Sequence, residues 1–308
     1  MSCTVLEAIG DTPILELRTI APPGSARILA KLESANPTGS MKDRMAKAVI
    51  EAAESDGRLP PSGTVVEYTA GTTGISLALA CAAKGHPLEI VFSDAFSDEK
   101  RVTMEAFGAR ITDVKSDQKR ITEALIKEMI RTAGQISRRP RHWWCDQLNN
   151  QDAVAGYVPL GNEIWDQTNG RIDAFVHVVS TAHSIHGVTQ ALWERNPRIE
   201  VTAVEPAESA VLSGKPTGSH NIEGIGIGFI PPLWHARLVN RIDAVSTEEA
   251  KVMARRLARQ EGIFAGTSTG ANVVAALRVA ERLGAGATVV TIVVDSGLRY
   301  VSTDVYRN

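Results

Sequence analysis

The 308-residue sequence predicts an α/β fold of mainly parallel sheets, arranged as two lobes. Short β-branched runs alternate with helical patterns over most of the chain. Three strand-to-helix turns share one design: an apolar strand, a short Gly/Ser/Thr loop, then a helix. The length is enough for two lobes sharing a cleft.

Gly10-Asp11-Thr12-Pro13 reads as a turn, followed by apolar runs at Ile14–Leu17 and Ala26–Leu32. The stretch Asn36-Pro37-Thr38-Gly39-Ser40-Met41-Lys42-Asp43-Arg44 then delivers Lys42 to the first turn of a helix. Ser40 and Asp43 form a capping pattern of the S-x-x-[DE] kind, and Met45, Ala46, Val49, Ile50 and Ala53 supply a buried face. That helix ends at Ser55-Asp56-Gly57. Thr64–Tyr68 is a strand centred on Val65 and Val66, and it runs into the loop Thr69–Gly74. The helix Ile75–Ala83 is apolar nearly all round and must be buried.

A strand at Leu88–Phe92, a helix at Glu99–Phe107 and a strand at Ile111–Val114 complete the first alternation. Helical pattern continues over Ile121–Ala133, and the arginine-rich Gln135–Arg141 marks a lobe boundary or an exposed loop. After Trp143-Trp144-Cys145 come a strand at Ala174–Ser180, a helix at His186–Glu194 and a strand at Glu200–Val204. Gly214–Pro232 is an irregular Gly/Pro-rich flap. Ser246 and Glu249 form a capping box for a helix that stops at Gly262. A helix at Ser268–Leu283 and an apolar strand at Thr288–Val294 lead to Asp295-Ser296-Gly297.

A net charge of −2 provides no basic footprint for nucleic acid and no polybasic membrane patch. No apolar run approaches the roughly 20 residues of a membrane span, and Met1–Pro13 lacks the pattern of a signal peptide. The three cysteines, Cys3, Cys81 and Cys145, are scattered and odd in number, which fits a reducing cytoplasm better than a disulfide framework.

The loops Thr69–Gly74, Ser180–Gly187 and Gly266–Gly270 each place hydroxyls at a helix start, where free N–H groups bind carboxylate or phosphate. There is no G-x-G-x-x-G after the first strand and no G-x-x-x-x-G-K-[ST], which disfavours a nucleotide enzyme. Lys42 near a positive helix end and apolar packing has a disfavoured charged form, as a Schiff-base lysine requires. A lysine plus several anion loops points to pyridoxal phosphate.

Lys31–Arg44 resembles the pyridoxal-lysine motif of the cysteine synthase and cystathionine β-synthase family. Gly10–Pro13, Val204–Pro206, Gly224–Pro231, Gly266–Gly270 and Asp295–Gly297 are similar to further motifs of that family and fall in its order. The resemblance implies a tryptophan-synthase-β-like fold (pyridoxal-phosphate fold type II), with a large lobe of residues 1–40 plus 147–308 and a smaller mobile lobe of 41–146. It places the cofactor between them and implies a homodimer. It assigns Lys42 as the cofactor lysine and catalytic base, and Ser268 as partner of the pyridine nitrogen. Thr72 falls where the family has an asparagine donating to the cofactor's ring oxygen, and Ser180, Thr181, Ala182, His183 and Ser184 on the phosphate loop. Thr69, Ala70, Thr73 and Gln147 fall at the substrate-binding positions, and Gly224 on the entrance segment.

Two loops depart from the family pattern. T-S-G-N-T-G is here Thr69-Ala-Gly-Thr-Thr-Gly74, and G-T-G-G-T is here Ser180-Thr-Ala-His-Ser184. Ala182 and His183 are expected to restrict the positive φ that glycine supplies there. His183 and His186 have no third metal ligand nearby, so no metal is expected, and a protonated His183 can compensate beside the phosphate. The activity implied is β-replacement on an activated serine through an aminoacrylate, with a donor or nucleophile that can differ from the family's usual pair. The alternatives are a desulfhydrase-type lyase and a catalytically impaired binding or regulatory paralogue. Docking of an acetyltransferase partner is left open.

Overall fold

The computed structural model describes residues 4–118 and 122–307, so Cys3 and the helix start expected at Ile121 lie outside the described residues. In chain order, β1 (Ile14–Glu16) and β2 (Arg27–Leu32) precede α1 (Lys42–Ser55). Then come β3 (Thr64–Tyr68), α2 (Thr72–Lys84), β4 (Leu88–Ser93), α3 (Asp98–Ala106), β5 (Arg110–Val114) and α4 (Glu123–Ile136). They are followed by β6 (His142–Trp144), α5 (Asp152–Ala155), α6 (Val158–Gln167), β7 (Ala174–Val178), α7 (His183–Arg195) and β8 (Glu200–Pro206). The last elements are β9 (Arg241–Val245), α8 (Thr247–Arg256), α9 (Thr267–Leu283) and β10 (Thr288–Val293).

The chain divides into two compact units. The smaller holds the N-terminal segment to Ile9 with Lys42–Gly156, and the larger holds Gly10–Met41 with Tyr157 onward. Residues 147–156 therefore go with the smaller unit rather than beginning the larger one. The reason is local packing of the end of α5 on α1: a Cβ on Gly156 would stand 2.7 Å from the Cβ of Ala48.

In the smaller unit the sheet order is β5-β4-β3-β6, every neighbouring pair parallel. β3 and β4 are buried at every position, as strands covered on both faces must be. In the larger unit the order is β1-β2-β10-β7-β8-β9, parallel except that β1 runs antiparallel to β2. Ile28, Val176, Val178, Val289 and Val293 of that sheet share one core with Met253 of α8 and Val273 and Ala276 of α9. Helices α8 and α9 meet closely because residue 270 is glycine; a Cβ there would lie 2.0 Å from the Ala250 carbonyl oxygen.

Several helix ends have identifiable causes. The Ser246/Glu249 capping box is present, each residue's side chain bonded to the other's backbone N–H. Helix α1 starts at Lys42, one residue later than a Ser40 cap would place it, and Ser40 pairs with Asp295 in an isolated bridge. Helix α7 starts at His183, three residues earlier than the sequence pattern indicates.

Polar residues lock the turns of the larger unit. Thr12 Oγ1 donates to Glu33 Oε1 (2.6 Å), Asn36 Nδ2 donates to Glu33 Oε2 (2.9 Å), and Asn36 Oδ1 accepts from Gly10 N (2.9 Å). The Gly10–Pro13 and Asn36–Ser40 motifs, distant in sequence, thus hold each other. Lys31 of β2 is wholly buried and paired with Glu163 of α6 at 2.6 Å, and it also donates to Gln167 Oε1 at 3.0 Å. Truncating Glu163 takes the carboxylate away from a buried ammonium, so Glu163→Ala is expected to lower stability by about 3 kcal/mol. Urea denaturation of the two proteins measures this, and an unchanged midpoint would contradict it.

Candidate active site

Lys42 is the first residue of α1, a helix whose buried residues include Met45, Ala46, Val49, Ile50 and Ala53. Desolvation pulls its pKa down from 10.5 to about 8, the direction a nucleophilic amine needs. Next to it Asp43 is buried and accepts from Ser76 Oγ of α2 at 2.6 Å, which ties α1 to α2.

The loop between β3 and α2 lies in the same unit. Thr69 is buried, and its hydroxyl oxygen accepts from Gly71 N (2.9 Å) and Gly74 N (3.3 Å), closing the loop on itself. Gly71 has φ +127°, and a Cβ there would meet the Lys100 side chain at 2.2 Å, so only glycine fits. Ala70 is exposed at the tip, while Thr72 and Thr73 form the first turn of α2. Thr73 Oγ1 donates to Gln147 Oε1 (3.0 Å), and Gln147 Nε2 donates to Tyr68 O (2.8 Å). The structure therefore brings Thr69, Thr73 and Gln147 together around one helix N-terminus, where backbone N–H groups suit a carboxylate.

Sequence reasoning missed the residue beneath this loop. Glu67 is fully buried in β3 and accepts from Gln147 N (2.9 Å), Tyr68 N (2.9 Å) and Trp144 Nε1 (3.4 Å). Burial outweighs these donors and pushes its pKa up from 4.5 to about 8. Cys145 and Cys81 are buried free thiols, and burial raises the pKa of both. The signal available was an acidic residue in an otherwise apolar strand directly before a candidate loop.

The larger unit carries the other predicted residues. Ala182 takes the left-handed backbone (φ +69°) and caps α7, so the alanine adopts the conformation expected of glycine and does not restrict it. That conformation costs an L-residue roughly 1–2 kcal/mol. Thr181 Oγ1 shares a hydrogen bond with Nδ1 of buried His183 (3.0 Å), and Ser184 Oγ bonds His177 Nε2 (2.8 Å). His186 packs edge-on against His235, and burial followed by that neighbour holds its pKa below the usual histidine value. Among the described residues no three metal-ligating side chains gather.

Ser268 is the second residue of α9 and is buried. Its neighbours are committed to backbone: Thr267 Oγ1 accepts from Glu223 N (3.2 Å), and Thr269 Oγ1 accepts from Val294 N (3.0 Å). Both bonds pin the first turn of the helix. Gly224 is exposed with φ +85°. The segment after it is anchored by Gly226 N donating to Val179 O (3.1 Å) and by His220 Nε2 bonding Gly226 O (2.9 Å).

A family model described as pyridoxal-phosphate dependent enzyme matches residues 5–295. The chain is 38% identical over 304 residues to a cysteine synthase of Staphylococcus aureus, covering 98% of this chain and 96% of that one. A solved cysteine synthase of Entamoeba histolytica is 37% identical with a TM-score of 0.91, covering 99% of this chain and 91% of that chain. A solved hydrogen sulfide-producing enzyme of Fusobacterium nucleatum is 32% identical with a TM-score of 0.90, covering 97% and 100%.

The chain belongs to the family of pyridoxal-phosphate dependent enzymes. Its cofactor is pyridoxal 5′-phosphate, and its α/β architecture is that of fold type II within the family. Each unit by itself carries groups of a chemistry that cofactor can use: in the smaller, Lys42 with an amine of lowered pKa; in the larger, the buried hydroxyl of Ser268 on a pinned helix turn and the N-terminus of α7 flanked by hydroxyls.

The pKa of Glu67 carries a pH signature. In the fold it keeps its proton up to about pH 8, whereas in the unfolded chain it ionises near 4.5. Its stabilising contribution is thus full below pH 4.5 and is lost as pH rises to about 8, at about 1.4 kcal/mol per pH unit. Glu67→Gln is expected to remove this component, so denaturation at pH 6 and pH 8 should show a smaller pH effect in the variant. Equal pH effects in the two proteins would contradict it.

Proposed function

We propose that this chain catalyses β-replacement on an activated serine-type amino acid, as a cysteine synthase does, with Lys42 as its catalytic residue. The observation that carries the reading is the Lys42 amine, placed on the first turn of a helix with its pKa drawn down to about 8. Similarity to cysteine synthases over nearly the whole chain supports the same reading.

Bound pyridoxal phosphate supplies an electron sink for negative charge at the substrate α-carbon. The cofactor's aldehyde is assigned to Lys42 Nζ, its phosphate to Ser180, Thr181, Ala182, His183 and Ser184, and its ring nitrogen to the Ser268 hydroxyl. With a pKa of about 8, a sizeable fraction of Lys42 Nζ is neutral at mildly alkaline pH and able to take the α-proton.

The first turn of α2 receives the substrate carboxylate at its backbone N–H groups, with Thr69 holding the loop shape and Gln147 holding Thr73. Both ends of the Gln147 amide are engaged by protein, leaving it one N–H to give a substrate. Thr72 stands where the family's asparagine would be, and Gly224 lies on the segment assigned to the substrate entrance.

A second reading is β-elimination with release of sulfide, the activity in the name of the Fusobacterium neighbour. Ala70 and Thr72, which change the substrate loop, favour keeping it in view. We place the protein in the cytoplasm as a homodimer acting on a small amino acid; the two buried free thiols fit a reducing compartment.

The test is product analysis of the purified chain with pyridoxal phosphate. O-acetylserine or O-phosphoserine plus sulfide should yield cysteine, and Lys42→Ala should abolish turnover. Cysteine alone yielding sulfide without any replacement product would instead favour the lyase. No turnover with any of these would overturn both readings.

A further inference from the structure

The phosphate-loop residue Ser184 has a partner outside the loop. His177 lies within β7, is buried, and its Nε2 stands 2.8 Å from Ser184 Oγ. Its other ring nitrogen, Nδ1, faces Asn272 Nδ2 of α9 at 3.4 Å. The Asn272 amide has its sense set by two backbone groups. Its Oδ1 accepts from Val178 N (2.7 Å), and its Nδ2 donates to Ile292 O (2.8 Å).

A flip of that amide would set donor against donor and acceptor against acceptor. The remaining Nδ2 proton therefore points at His177 Nδ1, which must be the acceptor. The ring proton is then on Nε2 and is donated to Ser184 Oγ. With its oxygen accepting from histidine, Ser184 directs its own hydroxyl proton to another acceptor. With the opposite tautomer Ser184 would donate to the ring and turn lone pairs toward an incoming anion.

We propose that His177 is a positioning residue for the cofactor's phosphate, making the Ser184 hydroxyl a donor at the start of α7. The proposal rests on the reading of Ser180–Ser184 as the phosphate loop. It adds an oriented side-chain donor to the backbone N–H groups at the start of α7, which Ala182 caps in the left-handed conformation. The orientation is set through Asn272 by the backbone of β7 and β10.

The experiment compares the dissociation constants of pyridoxal phosphate and pyridoxal for the full chain freed of cofactor. Both ligands share the aldehyde and ring, so their ratio reports the phosphate alone. His177→Phe and Ser184→Ala should each lower the preference for pyridoxal phosphate by about tenfold, the loss of one hydrogen bond to a charged group. The double variant should lose no more than either single one, because the two act as a unit. His177→Gln, whose amide nitrogen can donate to Ser184, should retain most of the preference.

Circular dichroism checks folding. If the phenylalanine variant fails to fold, the Ser184→Ala and His177→Gln chains decide the matter. Wild-type preference in Ser184→Ala, independent losses in the double variant, or a glutamine variant no better than phenylalanine would each overturn the role of His177. A wild-type chain that binds both ligands equally would instead overturn the placement of the phosphate in this loop, and the proposal with it.

Discussion

A polar atom taken out of water must find a partner inside the fold, and the loops of this protein are arranged by that constraint. Glu33 holds the Gly10–Pro13 turn against the Asn36 turn because its buried carboxylate needs donors from both. Glu67 gathers the N–H groups of Tyr68, Gln147 and Trp144. Asn272 fixes two strands' backbone groups and, through His177, the direction of a serine hydroxyl. In each case at least one partner comes from a distant part of the chain. A loop so held keeps its donors aimed without reorganisation, which an anion-binding site requires.

The same constraint sorts hydroxyls by task. Thr69, Thr267 and Thr269 accept from backbone N–H groups and shape their loops. Thr73 is committed to Gln147. Ser184 and Ser268 sit on the first turns of α7 and α9, where a donor can still be offered. At Lys42 burial acts differently, since desolvation weakens the hold of the amine on its proton. The hydroxyls of this chain thus divide between those that shape loops and those placed at the start of a helix.

Much of the architecture was legible in the residues. The alternation of β-branched runs and helical patterns located the strands other than β6 and β9, the Ser246/Glu249 box marked the start of α8, and α2, apolar nearly all round, proved buried from Thr73 to Cys81. Other features were not, for physical reasons. Ala182 was expected to resist a positive φ, yet the cost is only about 1–2 kcal/mol, which the packing around a fully formed helix start can offset. The early start of α7 follows from that same residue. The unit boundary depends on contact between the end of α5 and α1, which no local pattern encodes. Glu67 and His177 were overlooked because their partners Gln147 and Asn272 lie far away in sequence.

Lys42 is the amine proposed to hold the cofactor. Borohydride reduction of the protein with bound pyridoxal phosphate, followed by peptide mapping, would fix the cofactor to whichever amine carries it. A single labelled peptide containing Lys42 is expected. A label on another lysine, or none at all, would contradict it.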